Sequence, residues 1–173
     1  MCAPEVTAYV ALGSNQGDSM GEMNAARDWL AGVGTWLRHS SLYRTAPVGG
    51  PSGQADFLNA VVAIEGPRWG ARQLLQELLD YELRRGRERS VRWGPRMIDL
   101  DLLAYGDSSI DDPLLSLPHP RLHQREFVLA PLCEVAPQWR HPDIGETACA
   151  LLTRLRAAAS PLTGVERLES WVA

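Results

Sequence analysis

RWGPRMIDLDLL, residues 92–103, sets two carboxylates one residue apart inside an apolar run. Strand geometry separates the side chains. Met97, Asp99 and Asp101 fall on one face; Ile98, Leu100 and Leu102 fall on the other, and Leu103 restores apolarity after the acids. The apolar face predicts core packing, with both acids pointing away from it, roughly 6–7 Å apart. Carboxylates that close repel each other unless they are solvated, protonated or bridged by a cation. Magnesium suits such a pair, because it takes one or two protein carboxylates and completes its shell with water and phosphate oxygens. The pair taken alone equally suits the polar face of an edge strand.

The residues upstream favour the metal reading. Arg87, Arg89, Arg92 and Arg96 lie within ten residues. Arginine forks beside a carboxylate-held cation suit a polyphosphate ligand, because both neutralise charge that develops during transfer. Glycines and the missing helical period make RSVRWGP a loop able to close over a ligand. Trp93 in such a loop suits stacking on something planar.

Outward from this segment, YELRRG ends the amphipathic stretch PRWGARQLLQELLDYELRRG, whose Leu74, Leu75, Leu78, Leu79 and Tyr81 predict a helix closed by Gly86. FLNAVVAIEG (57–66) is the clearest strand. VTAYVALGSN predicts a strand running into a turn; its Gly-Ser-Asn lacks the spacing and the lysine of a phosphate-binding P-loop. Met20, Met23, Ala26 and Leu30 predict a helix capped at Asp18 or Ser19 and ended at Gly32 or Gly34. Residues 35–47 predict one strand, and FVLAPLCEVAP and ETACALLTRLRAAA predict short helices. The core order is therefore β-α-β-β-α-β with a helical tail. That predicts an α+β, ferredoxin-like βαββαβ sandwich with additional C-terminal helices, two helices lying on one face of an antiparallel sheet. At 173 residues without a composition break, one domain spanning 1–173 is expected.

Bulk composition excludes several classes. A net charge of −4 argues against non-specific nucleic-acid binding. No apolar run approaches the length of a membrane span, and the N-terminus has no signal-peptide pattern. Cys2, Cys133 and Cys149 are odd in number, widely spaced and without a CxxC, which predicts a reducing, cytoplasmic setting and no disulfide framework. All 17 basic residues are arginine, so no lysine nucleophile, Schiff base or Walker lysine exists. His119 and His123 are four apart, but Pro120 lies between them and no HExxH accompanies them, which argues against zinc.

Two further clusters suit a small polar heteroaromatic. Phe57 and Asn59 share a strand face, so one can stack while the other pairs. The Pro/Gly loop from Thr45 to Gly50 offers backbone groups not all committed to a sheet. Arg121, Arg125 and Phe127 again mix cations with an aromatic ring. From these residues alone, a magnesium-dependent nucleotide hydrolase stays open beside a transferase. An RNA-binding module stacking bases on Phe57 and Trp93 is disfavoured by the acidic balance and the paired aspartates.

YVALGSNQGD, SLYRTAPVGG, QADFLNAVV, LLDYELRRGRER, RWGPRMIDLDLLAYG and LPHPRLHQREFVLAPLCEVAP together are specific. In that order they resemble the 6-hydroxymethyl-7,8-dihydropterin pyrophosphokinase family over about residues 8–137. The resemblance implies transfer of the β,γ-pyrophosphoryl group of ATP to the hydroxymethyl oxygen of the pterin, in folate biosynthesis, with release of AMP. It implies two Mg²⁺ ions held by Asp99 and Asp101. It implies a pterin stacked between Phe57 and Phe127, paired with Asn59 and with the chain around Thr45, Pro47, Val48 and Gly49, and covered by Trp93. Glu82, Arg89, Arg96, Ser116, His119 and Arg125 would lie on the nucleotide side. Arg87 and Arg96 would stabilise charge during transfer. Pro120, Leu114 and Ser116 depart from residues some members carry near the adenosine. The implied partners are the two small-molecule substrates, with no nucleic acid or membrane, and the implied state is a monomer.

Overall fold

The computed structural model describes residues 6–47, 51–86, 94–158, 164–168 and 171. The elements run β1 (Thr7–Ser14), α1 (Ser19–Ala31), β2 (Trp36–His39), β3 (Tyr43–Thr45), β4 (Phe57–Glu65), α2 (Ala71–Arg84), β5 (Asp99–Tyr105), β6 (Ile110–Asp111), β7 (Ser116–Leu117), α3 (Glu126–Val135), α4 (Ala148–Ala158) and β8 (Val165–Arg167). A single turn of 3-10 helix, Leu122–Gln124, precedes α3. The main sheet has the order β5-β1-β4-β3-β8, with β2 also on β4, and all its pairings are antiparallel. β6 and β7 form a separate small hairpin.

β1 and β4 lie at the centre and are apolar on both faces. Ala8, Val10, Leu12, Ala60, Val62 and Ile64 pack with Met23 and Leu30 of α1 and with Leu74 and Leu78 of α2. On the opposite face Tyr9, Val61 and Ala63 pack with Val128, Leu129 and Leu132 of α3 and Leu151 of α4. Helices therefore cover both faces, where the sequence predicts one covered face and a tail. The register between β1 and β5 shifts at Tyr9/Val10. The shift brings Leu103 and Ala104 together into the α3–α4 layer, the geometry of a bulge.

Capping follows the expected chemistry. Asp18 accepts the Gly21 N–H at 3.0 Å and starts α1. Gly86, with φ of +81°, follows the end of α2 in a conformation that residues with a Cβ rarely adopt.

Three further expectations change. Residues 35–47 form two strands rather than one. Between them the buried Ser40 hydroxyl accepts the Val61 N–H at 3.1 Å and donates to the Ser41 carbonyl at 2.7 Å, so a side chain takes a ladder position. The tail contributes a strand, because β8 extends the sheet beyond β3 and Trp171 is buried in the core. Cys133 on α3 and Cys149 on α4 form a disulfide, with Cα atoms 4.9 Å apart. Distance along the chain concealed this pair; antiparallel helix packing makes it.

Candidate active site

Strand register assembles the site. Asp99 on β5 is level with Gly13 on β1, which is level with Asn59 on β4, which is level with Tyr43 on β3. One step along, Asp101 is level with Ala11 and Val61. Phe57 is level with Thr45. Residues level across a sheet share a face. Thr45, Phe57, Asn59, Asp99 and Asp101 therefore stand on one face, the one that α3 and α4 also cover. Residues with little or no side chain, Gly13 and Ala11, occupy the strand between the amide side and the acid side.

Alternation predicts the acids on the face away from the core; that face carries a second apolar layer, and the acids stand at its margin. Their side chains are 21 % and 38 % exposed, at the margin of the α3–α4 layer. Asp99 is ion-paired with Arg96, and Asp101 Oδ2 lies 3.7 Å from the Arg125 guanidinium. Burial pushes the Asp101 carboxyl above its ordinary range, and the charge of Asp99 adds to that rise. Two partly desolvated, mutually repelling carboxylates, each already facing a guanidinium, are hard oxygen donors that suit Mg²⁺ with room for water or phosphate oxygens. Among the described residues no cluster of three or more His, Cys, Asp or Glu could hold a metal.

Beside the acids, the His119 N–H donates to the Leu103 carbonyl at 2.7 Å, which fastens the loop after β7 to the outer edge of β5. His119 Nδ1 accepts the Arg121 N–H at 3.2 Å, so the neutral ring carries its proton on Nε2. Burial holds that imidazole below its ordinary value, with Asp101 opposing the shift. Arg125 also stands over the ring of Phe127, 5.7 Å from its centroid. Its position directly before α3 carries both residues toward the sheet face that holds the acids.

On the amide side, Asn59 is buried and donates from Nδ2 to Thr45 Oγ1 at 2.8 Å. Its Oδ1 stands over Gly13, where a Cβ would approach it to 3.3 Å. The half-buried Phe57 begins β4 two residues earlier. Pro47 follows β3 by two residues and is half-buried.

Glu82 is placed differently from a ligand contact on an open surface. It is 1 % exposed and accepts the Leu100 N–H at 2.6 Å, tying α2 to the edge of β5 between the two acids. Ser116 lies in the β6–β7 hairpin, half-buried, opposite Asp111. Arg87, Arg89, Arg92, Trp93, Val48 and Gly49 lie outside the described residues.

Asn15 and Gly13 join the site without any motif or spacing that announces them. Asn15 Oδ1 accepts the Arg96 N–H at 2.9 Å, while the Asn15 N–H donates to the Arg96 carbonyl at 3.1 Å. Its Nδ2 reaches the Ala55 carbonyl at 3.1 Å and Gln54 Oε1 at 3.3 Å. The available signal is the Gly-Ser-Asn after β1, which lacks the spacing and lysine of a P-loop but ends a central strand. A glycine inside a central strand was the second clue, since it signals close approach of something else.

The fold and site define an antiparallel-sheet protein that presents paired carboxylates with flanking arginines opposite an aromatic–amide wall, an arrangement suited to transfer from a metal-bound polyphosphate to a planar acceptor. The family model described as 7,8-dihydro-6-hydroxymethylpterin-pyrophosphokinase (HPPK) matches residues 9–137, and the chain belongs to that family. It is 40 % identical over 162 residues to the 2-amino-4-hydroxy-6-hydroxymethyldihydropteridine pyrophosphokinase of Pseudomonas aeruginosa, covering 92 % of this chain and 95 % of that one. It is 44 % identical over 134 residues to the enzyme of the same name from Bacillus subtilis, covering 76 % and 78 %. A triple mutant of the Plasmodium falciparum HPPK-DHPS has a similar fold, with a TM-score of 0.70 at 14 % identity, over 94 % of this chain and 46 % of that one. The chain thus spans about half the length of that solved structure.

Proposed function

We propose a division of labour across this sheet face for the reaction of the family. The chain is a pyrophosphokinase that transfers pyrophosphate from ATP to the hydroxymethyl group of 6-hydroxymethyl-7,8-dihydropterin in folate synthesis. The hydroxymethyl oxygen attacks the β-phosphorus and the bond from that phosphorus to the α,β-bridging oxygen breaks. AMP leaves, the pterin keeps the diphosphate, and the hydroxyl proton goes to solvent. No covalent enzyme intermediate is needed, so alignment, charge neutralisation and water exclusion carry the catalysis.

Asp99 and Asp101 would hold Mg²⁺, two ions in this reading. When bound, Mg²⁺ supplies charge neutralisation along the triphosphate and acidifies the acceptor hydroxyl. Arg96 and Arg125, which face Asp99 and Asp101, would offer their guanidinium forks to phosphate oxygens. His119 offers its Nε2–H to the same phosphates. Arg87 and Arg89 complete the anion side and Trp93 the cover, on the strength of the resemblance. Phe57 and Phe127 sandwich the pterin, whose edge pairs with Asn59, with Thr45 and with the chain at Pro47, Val48 and Gly49. Glu82 serves through β5, holding the strand that carries both acids, and Ser116 marks the nucleoside end.

The observation that carries this reading is the register that sets Asn59, Gly13 and Asp99 level on one face. Asn59 and Asp99 lie one strand apart on either side of a bare backbone, which supports an amide that pairs with the pterin beside acids that hold the metal. The order β5-β1-β4-β3, with α1 and α2 on a common face, supports a ferredoxin-like core, and β8 joining the same sheet supports one pyrophosphokinase domain over 1–173. ATP as co-substrate suits a cytoplasmic setting. The enzyme is read as a monomer. Among the described residues no helix is long and apolar enough to cross a membrane.

The test supplies ATP, Mg²⁺ and the hydroxymethyl-dihydropterin. AMP that appears only with the pterin supports transfer; AMP released without it supports hydrolysis and defeats the proposal.

A further inference from the structure

We infer that Asn15 is a positioning residue that couples the two halves of the site, so that each substrate tightens the other. The inference rests on the assignment of the pterin to the Phe57–Asn59 side and of the triphosphate to the Asp99–Asp101 side. Four hydrogen bonds run from this one residue to two segments that have no strand partner of their own. Arg96 is gripped at both backbone groups, its N–H by Asn15 Oδ1 and its carbonyl by the Asn15 N–H. The Asn15 amide nitrogen grips the Ala55 carbonyl and Gln54 Oε1, two and three residues before Phe57.

The chain of contacts is short. Ala55 leads through Asp56 into Phe57; Arg96 is ion-paired with Asp99, three residues on. A shift of segment 51–56 when a pterin settles on Phe57 is passed through a single buried carboxamide to the backbone of Arg96 and so to the carboxylate strand. Asn15 is 6 % exposed, so water does not readily replace these bonds. The residue type is demanding. A carboxamide presents an acceptor and two donors on one rigid plane, and the orientation here sets oxygen against an N–H and nitrogen against a carbonyl. Aspartate keeps the acceptor and loses both donors.

The contrast between those two side chains provides the test on the full chain. Pterin affinity is titrated with and without Mg²⁺ and a non-hydrolysable ATP analogue, and analogue affinity with and without pterin. In the wild type each ligand tightens the other by the same factor, as linkage requires. In Asn15→Asp the single-ligand affinities stay within about twofold while that factor falls by at least about fivefold. AMP formation slows as well, and slows further in Asn15→Ala. A factor unchanged in Asn15→Asp, with both single affinities weakened alike, makes Asn15 merely structural and overturns the inference. A wild type in which the ligands ignore each other overturns it too. A wild type that binds neither ligand refutes the half-site assignment, and the coupling falls with it. Should Asn15→Asp melt below the assay temperature, Gln54→Ala, which removes one acceptor of the same arm, is expected to lower the factor by about twofold; no change there counts against the coupling.

Discussion

Asp99 stands level with Gly13, the one position of β1 that carries no side chain. The bare backbone separates the acid from Asn59, whose carboxamide oxygen lies over the same glycine. A methyl group placed there would come within 3.3 Å of that oxygen, closer than most carbon contacts allow. Asn59 cannot yield freely, because its amide nitrogen is held by Thr45. Gly13→Ala is therefore expected to raise KM for the pterin about fivefold or more, equivalent to about 1 kcal/mol of overpacking. KM for ATP should change less. Steady-state kinetics with each substrate varied in turn decides it, and a change confined to ATP would contradict the proposed layout.

Asp99→Ala and Asp101→Ala are expected to lower turnover at least about a hundredfold, with the cooperative melt retained. The charged form of Asp101 is already disfavoured by burial and by Asp99, so removing one acid relieves repulsion in the protein alone. Activity and thermal melts in magnesium buffer provide the comparison, and near-normal turnover of both variants would defeat the metal assignment.

Glu134 ties α3 to the far edge of the sheet and should make stability pH-dependent at both ends. Burial alone would raise its carboxyl. Hydrogen bonds from the Ser41 hydroxyl and N–H, from the Tyr43 hydroxyl and from Arg167 hold it below the ordinary 4.5 instead. A depressed acid stabilises the fold above its unfolded value and loses that effect as pH falls through the folded one. Glu134→Gln should thus be less stable than wild type above about pH 5, the gap narrowing below pH 4.5. Tyr43 works in the opposite sense. Burial, with its bond to Glu134, pushes the phenol up to about 12 from 10.0. Its contribution is complete below pH 10.0 and lost as pH rises through about 12, so Tyr43→Phe should flatten the alkaline decline. Denaturant melts across pH check both; a pH-independent gap for Glu134→Gln would contradict the linkage.

Trp171→Ala is expected to destabilise the chain by about 3–5 kcal/mol. The indole is 8 % exposed, donates to the Ser40 carbonyl at 2.7 Å, sits edge-on to His39 and carries the Arg27 guanidinium 5.0 Å above it. Trp171→Phe keeps the packing and loses the hydrogen bond, so its loss should be about 1 kcal/mol. Chemical denaturation measures both. Equal, negligible losses would mean that the tail does not contribute to the core.

Local chemistry explains why much of the candidate site is legible in the sequence. Arg96, Asp99 and Asp101 lie within six residues, and Phe57 and Asn59 within three, so period-2 alternation was enough to pair the latter two on a face. Asp18 and Gly86 announce helix ends by capping chemistry that is likewise local. Asn15 was not legible, because its three partner residues lie some 40 and 80 residues away and no spacing rule connects them. Ser40 hid a strand break for the same reason: its hydroxyl takes the place of a backbone partner on β4, 21 residues on.

The sequence by itself determined the residue types the chemistry needs, an arginine-only cation set beside paired aspartates and an aromatic–amide pair, because those follow from what each side chain can do. It also determined the central strands β1, β4 and β5 and the four helices, through alternation, helical period and caps. Only the tertiary structure decided that α3 and α4 close over the acid-bearing face, that Cys133 meets Cys149, that Glu82 bonds to β5, and that Gly13 sets the separation between Asn59 and Asp99. Each of these depends on register and on helix packing between segments far apart in the chain, where burial and backbone pairing across the whole sheet outweigh any local preference.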